Sequence, residues 1–307
     1  MDNQLIPLGI DHGWSHIKTR NSCFVSGVAE LGSEPMVYDN ILEYGGKYYR
    51  IGGERLKIQD NKVSNDNYYL LTLAAIAREL KARGLKEAKL LLAVGLPIGR
   101  FGSEKRDFIN YLSKNRMVKF RFEKRQYTVL IERVMVYPQC YGAVVERLPE
   151  MPGQEYVVDI GSWTVDTLKI IDRTPDESSS GSDPNGIITC MRKIDEVCVK
   201  KTNSKIDEYM IREVMINGTA NLEDQYIEII KNELANYTKS IFRIIAEHGI
   251  NVKTTPITFV GGGAVLMKRY SGITQRNISY IEDVKANAIG YETLAEMYIN
   301  SCRRKGA

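Results

Sequence analysis

Apolar and polar positions alternate through the opening of the chain, with turn-forming residues between the runs, and this period of two predicts consecutive strands. Candidate strands are Leu5–Ile10, Ile17–Arg20, Cys23–Val28, Met36–Tyr38 and Lys47–Ile51. The period then lengthens. Leu70, Leu71, Leu73, Ala74, Ala77 and Leu80 form one broad stripe, which predicts a helix over 67–83 with Gly84 as its stop. Leu90–Gly95 is a continuous apolar strand ahead of Pro97, Ser103–Lys114 is helical, and Lys119–Phe122 and Tyr127–Tyr137 return to strand. After a loop at Met151–Gly153, helices are predicted over 206–215 and 224–247, a strand over Ile257–Val260 and a last helix over 288–301.

One pattern occurs twice. "LGIDHGWSHIKT" (Leu8–Thr19) and "VVDIGSWTVDTLKI" (Val157–Ile170) each join an apolar strand, an Asp, a Gly-bearing turn with a Trp and a Ser or Thr, and a return strand. A surface hairpin needs no apolar residues on both flanks, so the second reads as a buried hairpin with a carboxylate at its mouth. The same hairpin opens each half of a strand–helix–strand–helix order, which predicts an α/β chain with an internal duplication of architecture. "TPDESSSGSDPNG" (Thr174–Gly186) has little to bury and reads as an exposed, mobile connection.

Composition narrows the classes. The chain has 307 residues, with 43% apolar and 26% charged, which suits a globular protein of two domains. A net charge of +4 without a long basic run argues against a dedicated nucleic-acid reader. Five scattered cysteines without a C-x-x-C pair suit a reducing compartment. The N-terminus lacks the basic and apolar regions of a secretory signal, and the run Leu70–Ala77 is too short to span a bilayer. A cytoplasmic location without membrane contact is expected.

Both hairpin turns can present backbone N–H groups to a polyphosphate. Asp11 and Asp159 at the strand ends cannot hold phosphate themselves, but can hold Mg²⁺ through water, and Lys18 on the first return strand can reach the same oxygens. A third turn, "ITFVGGGAVLMKRY" (Ile257–Tyr270), runs a β-branched strand into three glycines and a helix, placing bare backbone and a positive helix end beside a ligand. Each turn alone is a corner found in many α/β proteins; the combination of three is what points to a nucleotide.

With these motifs the chain resembles the actin/Hsp70/hexokinase superfamily, from Ile6 to about Met297. "DIGSWTVD", "YPQCYGA" and "NAIGY" look most like bacterial plasmid-segregation actins of the ParM/StbA type. The resemblance implies two related actin-like (ribonuclease H-like) lobes with a nucleotide cleft between them. Lobe I would span 1–152, with a C-terminal helix 290–307 returning to it, and lobe II 153–289.

It also implies a site. Asp11, Gly13, Trp14, Ser15, His16 and Lys18 fall in the first phosphate loop, and Asp159, Gly161, Ser162, Trp163 and Thr164 in the second. Gly261, Gly262, Gly263 and Ala264 resemble the adenosine motif. Gln139, in "VYPQCYGAVVE" where the first connecting helix begins, corresponds to the residue that orients attacking water. Glu228, Lys231 and Asn232 resemble the helix that contacts ribose and adenine, although such i, i+3 pairs also decorate solvent-facing helices. Lys285–Tyr298 resembles the second connecting helix, with Ala286, Ala288 and Gly290 allowing close crossing. Ser162 and Trp163 depart from the Gly and Thr of many relatives, and Trp14 enlarges the first loop.

Other residues stay out of the chemistry. His12 and His16 are spaced four apart in a turn without a third histidine nearby, so structural or phosphate-facing roles are expected rather than a metal site. Cys140 reads as a buried small residue, and "CRRKGA" (Cys302–Ala307) as a solvated helix end. The function implied is an ATPase, or GTPase, that polymerises with Mg²⁺-nucleotide and segregates plasmid DNA. Its partners would be further copies of itself and a centromere-binding adaptor protein, with no direct sequence-specific DNA binding. The alternatives on the same scaffold are a non-polymerising nucleotide-gated scaffold and a small-molecule kinase.

Overall fold

The computed structural model describes residues 4–57, 61–151 and 153–305; of the segments read above, Met1–Asn3, Pro152 and Gly306–Ala307 lie outside them. The chain divides into two compact units, residues 1–146 with 285–307, and residues 147–284.

The strands of the first unit are β1 (Leu5–His12), β2 (His16–Lys18), β3 (Cys23–Val25), β4 (Val28–Leu31), β5 (Ile41–Tyr44), β6 (Lys47–Ile51), β7 (Glu87–Leu96), β8 (Met117–Phe122) and β9 (Arg125–Pro138). They form one sheet in the order β3-β2-β1-β7-β9-β8-β5-β6-β4. Its centre, β1, β7 and β9, is parallel. That is why Leu90–Val94 is apolar without alternation: Leu90, Leu92 and Val94 face the core shared with helix α1 (Asn67–Ala82), while Leu91 and Ala93 meet Tyr291, Ala295 and Ile299 on the opposite face. Helix α2 (Ile98–Leu112) adds Phe108 and Leu112 to the α1 side.

The last helix of the unit crosses α3 (Tyr141–Val144), and two glycines decide how closely. A Cβ on Gly290 would stand 1.8 Å from the Gly142 carbonyl oxygen, so only glycine fits.

The second unit has a sheet of five strands in the order β12-β11-β10-β13-β14, made of β10 (Gln154–Ile160), β11 (Val165–Ile171), β12 (Thr174–Asp183), β13 (Ile257–Val260) and β14 (Ile278–Ile281). Tyr156, Val158, Ile160 and Val165 face a core with four helices: α4 (Ile187–Thr202), α5 (Glu208–Asn217), α6 (Asp224–Glu247) and α7 (Gly262–Tyr270). Helix α8 (Ala286–Lys305) then belongs to the first unit.

Several sequence expectations are corrected. Thr174–Gly186 is not a loose connection, since Thr174–Asp183 pairs antiparallel with β11 as an edge strand. Its polar side chains need no core because the backbone ladder is supplied from one side. Met36–Tyr38 is no strand; it lies in the loop between β4 and β5, where Met36 is 99% exposed. The segment around Val136–Glu146 is strand through Pro138, then only a four-residue helix and a 3₁₀ turn over Val145–Glu150. Helix α4 and strands β4, β5 and β14 had no counterpart in the reading of the sequence.

Candidate functional site

In the first unit the ends of β1, β7 and β9 bring three distant residues together. Asp11 is the penultimate residue of β1, is 2% exposed, and pairs with Lys18 across the hairpin. Lys18 Nζ donates to Asp11 Oδ2 at 3.1 Å, and the Gln139 side-chain amide donates to Asp11 Oδ1 at 3.0 Å. The Gln139 backbone is pinned in turn, its N–H donating to the Leu96 carbonyl at the end of β7 at 2.9 Å. The next residue, Cys140, is buried at φ +69°, ψ −48°, a left-handed conformation that side chains rarely adopt. The strained bend turns the chain out of β9 directly after the glutamine.

Burial alone would raise the Asp11 carboxyl, but the Lys18 and Lys62 charges and the hydrogen bonds from Lys18 and Gln139 outweigh it. Asp11 therefore ionises below the usual aspartate range. His12 is the opposite case. Burial, helped by Lys62 and opposed by Asp11, pushes it down to about 3, so it is a neutral core residue. Its Nε2 lies 2.8 Å from Thr72 Oγ1 and its ring meets Phe108 edge-on, a structural role rather than a metal ligand.

The turn of this hairpin is held from behind. The Ser26 hydroxyl donates to the Gly13 carbonyl at 2.7 Å and the Ser26 N–H to the Ser15 carbonyl at 2.9 Å. A trans peptide points its C=O and the following N–H in opposite directions, so the amides of Trp14 and His16 face away from Ser26. Ser15 is buried, whereas Trp14, His16 and Lys18 are half-buried.

The second unit repeats the device with different parts. Gly161 N–H donates to the Thr164 carbonyl at 2.8 Å, closing the turn between β10 and β11. Behind it, the first amides of α4 take the turn's carbonyls: Ile187 N–H to Gly161, Ile188 N–H to Ser162 and Gly186 N–H to Trp163, each at 3.0 Å. The amides of Ser162, Trp163 and Thr164 consequently point to the other side, a row of N–H groups suited to an anion. Arg192 of α4 lies over the Trp163 ring at 5.3 Å from its centre. Asp159 is half-buried directly across from Asp166, whose Oδ2 accepts from Thr164 Oγ1 at 2.8 Å.

The glycine turn adjoins this hairpin because β13 pairs with β10, Asp159 opposite Val260. Gly261 caps α7 at φ +72°, a conformation for glycine, and leaves only 3.4 Å between its missing Cβ and Asp159 Oδ1. Gly262 is exposed, Gly263 is buried, and Ala264 is fully buried in the core of α7. Glu228, Lys231 and Asn232 share an exposed face of α6.

Each unit by itself offers carboxylates suited to a hydrated divalent cation rather than to a caged one. Among the described residues no group of three or more His, Cys, Asp or Glu side chains could hold a metal. Both Asp11 oxygens already accept hydrogen bonds, and Asp159 stands as a half-buried carboxylate facing Asp166. Within each unit taken by itself, a single such carboxylate suits a cation that keeps most of its waters, as Mg²⁺ does.

Lys62 escaped the sequence reading. It lies between β6 and α1, in the stretch Gly32–Leu85 where no motif is legible, and is 3% exposed. Nothing in a sequence marks one lysine as buried.

Comparison with known proteins agrees with this architecture. Residues 9–142 match the family model described as actin-like proteins, N-terminal domain. An archaeal actin homolog of Thermoplasma volcanium is 26% identical over 279 residues, covering 82% of each chain. The crystal structure of the archaeal actin homolog Ta0583 superimposes with a TM-score of 0.78 at 22% identity, over 95% of this chain and 99% of that one. That protein's complex with ADP gives 0.75 at 21% identity and the same coverage. The Alp12 filament structure gives 0.68 at 16% identity, over 96% of this chain and 99% of that one. Among the described residues no helix is long and apolar enough to cross a membrane. The chain thus matches the actin-like N-terminal family model over residues 9–142 and has an actin-like fold over nearly its whole length.

Proposed function

We propose that this protein binds ATP, or GTP, with Mg²⁺, polymerises in the nucleotide-bound form and hydrolyses the nucleotide after assembly, so as to move plasmid DNA. The observation that carries the reading is the Lys18–Asp11–Gln139 arrangement. Gln139 donates one amide hydrogen to Asp11, whose carboxyl ionises below the usual aspartate range, and this fixes the orientation of the amide. Its carbonyl oxygen is then available to accept from a water, which orients a nucleophile without a strong base. Lys18, held by the same carboxylate, is the cation assigned to phosphate oxygens at this hairpin.

The backbone amides at Trp14 and His16, and those at Ser162, Trp163 and Thr164, hold the phosphates. Gly261, Gly262, Gly263 and Ala264 bring bare backbone to the nucleoside, and Glu228, Lys231 and Asn232 are its assigned contacts on α6. Asp11 and Asp159 are the carboxylates that would hold Mg²⁺ through water, and the ion would supply charge neutralisation to the phosphates. Proteins of the same fold support the nucleotide and the polymer: Ta0583 in complex with ADP, and Alp12 as a filament. Plasmid segregation, with a centromere-binding adaptor as partner, rests on the resemblance of "DIGSWTVD", "YPQCYGA" and "NAIGY" to ParM-type proteins.

The test follows light scattering and phosphate release together after adding ATP or GTP with Mg²⁺, and images the product by electron microscopy. Filaments followed by phosphate release are expected. Phosphate release without scattering at any protein concentration would replace polymerisation by a nucleotide-gated switch or a kinase.

A further inference from the structure

The turn of the first hairpin is built on a glycine with no room for a side chain. A Cβ on Gly13 would stand 2.6 Å from the His16 carbonyl oxygen. The same glycine leaves the Gly13–Trp14 peptide free to rotate, since glycine tolerates backbone angles closed to other residues. The direction of that plane matters to an anion. In one state it presents the Trp14 N–H, and after a half-turn it would present the Gly13 carbonyl oxygen instead.

Ser26 holds the plane in the first state. Its hydroxyl donates to the Gly13 carbonyl at 2.7 Å, and the residue is fully buried between β3 and β4. Ser26 is fixed in its own right. Its N–H donates to the Ser15 carbonyl, and its carbonyl accepts from Leu56 N–H, both at 2.9 Å. The Gly27 carbonyl accepts from Gly52 N–H at 2.9 Å, and a Cβ on Gly27 would stand 2.3 Å from the Glu54 carbonyl oxygen. Backbone packed this closely gives the serine hydroxyl little room to follow a rotating peptide.

We propose that Ser26 is a positioning residue whose hydroxyl locks the Gly13–Trp14 peptide with its N–H toward the phosphates, and so sets the phosphate affinity of the first hairpin. The assignment rests on the nucleotide reading above. The Ser15–His16 peptide is held by the main chain of Ser26, so replacing the side chain puts only the Trp14 amide at stake.

The chain's two tryptophans, Trp14 and Trp163, lie one in each hairpin turn, and their backbone amides make the test internal. Spectra of ¹⁵N-tryptophan-labelled protein are recorded with and without Mg²⁺-ADP in wild type, Ser26→Ala and Ser26→Thr, beside ADP affinity by calorimetry and thermal unfolding. In wild type both amides should shift on binding. Ser26→Ala should weaken ADP about 3- to 30-fold and lose most of the Trp14 shift while keeping that of Trp163. Ser26→Thr, which retains the hydroxyl, should restore both. Should Ser26→Ala fail to fold, Ser26→Cys, a weak donor of similar size, takes its place. Wild-type affinity and shifts in the Ala variant, or equal loss at both tryptophans, overturn the role of Ser26. A wild type that binds ADP without a response at Trp14 overturns it too, and leaves the nucleotide reading standing. A wild type that binds neither ADP nor ATP overturns both.

Discussion

Gln139 and Asp11 are 128 positions apart in sequence, and the side-chain amide of one donates to the carboxylate of the other at 3.0 Å. Three parallel strand ends create that meeting, since Asp11 is next to last in β1, Gln139 follows β9, and β7 between them supplies the carbonyl that anchors the glutamine backbone. The side chain is thus oriented by the sheet itself, a rigid support for the water-orienting role proposed for it.

Gln139→Ala should slow phosphate release about 10- to 100-fold, because the water loses its guide while phosphate contacts remain. Nucleotide-dependent scattering should persist. Phosphate release at the wild-type rate in this variant would remove Gln139 from the hydrolysis step.

Asp159→Ala should abolish Mg²⁺-dependent hydrolysis by removing the carboxylate at the mouth of the second hairpin. Titrating Mg²⁺ at fixed ATP checks this. Wild-type dependence on the cation, unchanged in the variant, would place the metal elsewhere.

Gly290→Ala should destabilise the protein by about 2 kcal/mol or more, since its methyl group would overlap the Gly142 carbonyl at 1.8 Å. Gly102→Ala is the matching control. It lies in helix α2 with nothing within 4 Å of the added Cβ, and should be neutral or stabilise by up to about 1 kcal/mol. Urea unfolding of the two variants side by side separates packing from helix propensity.

Acid stability should depend on Glu79. Burial raises its carboxyl, but hydrogen bonds from Thr19 and from the Asn21 backbone and side chain, with the Arg83 charge, outweigh burial and leave it below the ordinary glutamate range. A folded value below the unfolded one stabilises fully above the unfolded value, about 4.3, and that stability is lost as pH falls through the folded value. Glu79→Gln should therefore be less stable than wild type by about 2 to 4 kcal/mol at pH 7. The gap should narrow as pH drops below about 4. Urea midpoints measured across pH 3 to 7 would show parallel curves if Glu79 were not the group responsible.

Where periodicity reports burial on a single face, the sequence was readable. Asp224–Glu247 and Ile257–Val260 stand at their expected positions because each has a strong apolar pattern bounded by clear stops. Helix α4 was missed because Ile188, Met191, Ile194 and Cys198 are sparse among charges and follow directly on a Ser-, Gly- and Pro-rich segment. That segment misled in its own right, since an edge strand gains its place from β11's backbone and carries no apolar signature. Met36 and Val37 misled the other way, being apolar residues exposed on a loop. The Asp–Gly hairpins were visible as motifs, whereas Ser26, the first amides of α4 and Lys62 belong to the surroundings of the site through tertiary contacts alone.

The clasp of α8 on β1 bears on how the polypeptide matures. Gly9 N–H donates to the Glu292 carboxylate at 3.2 Å, and Arg20 and Arg83 converge on the same side chain. The central sheet of the first unit thus waits for a segment made nearly three hundred residues after its first strand. During synthesis the later unit can close first, while the earlier one keeps an uncovered apolar surface until α8 has been made. A chain stopped before Ala286 would retain that surface, and chaperones would hold it rather than release it.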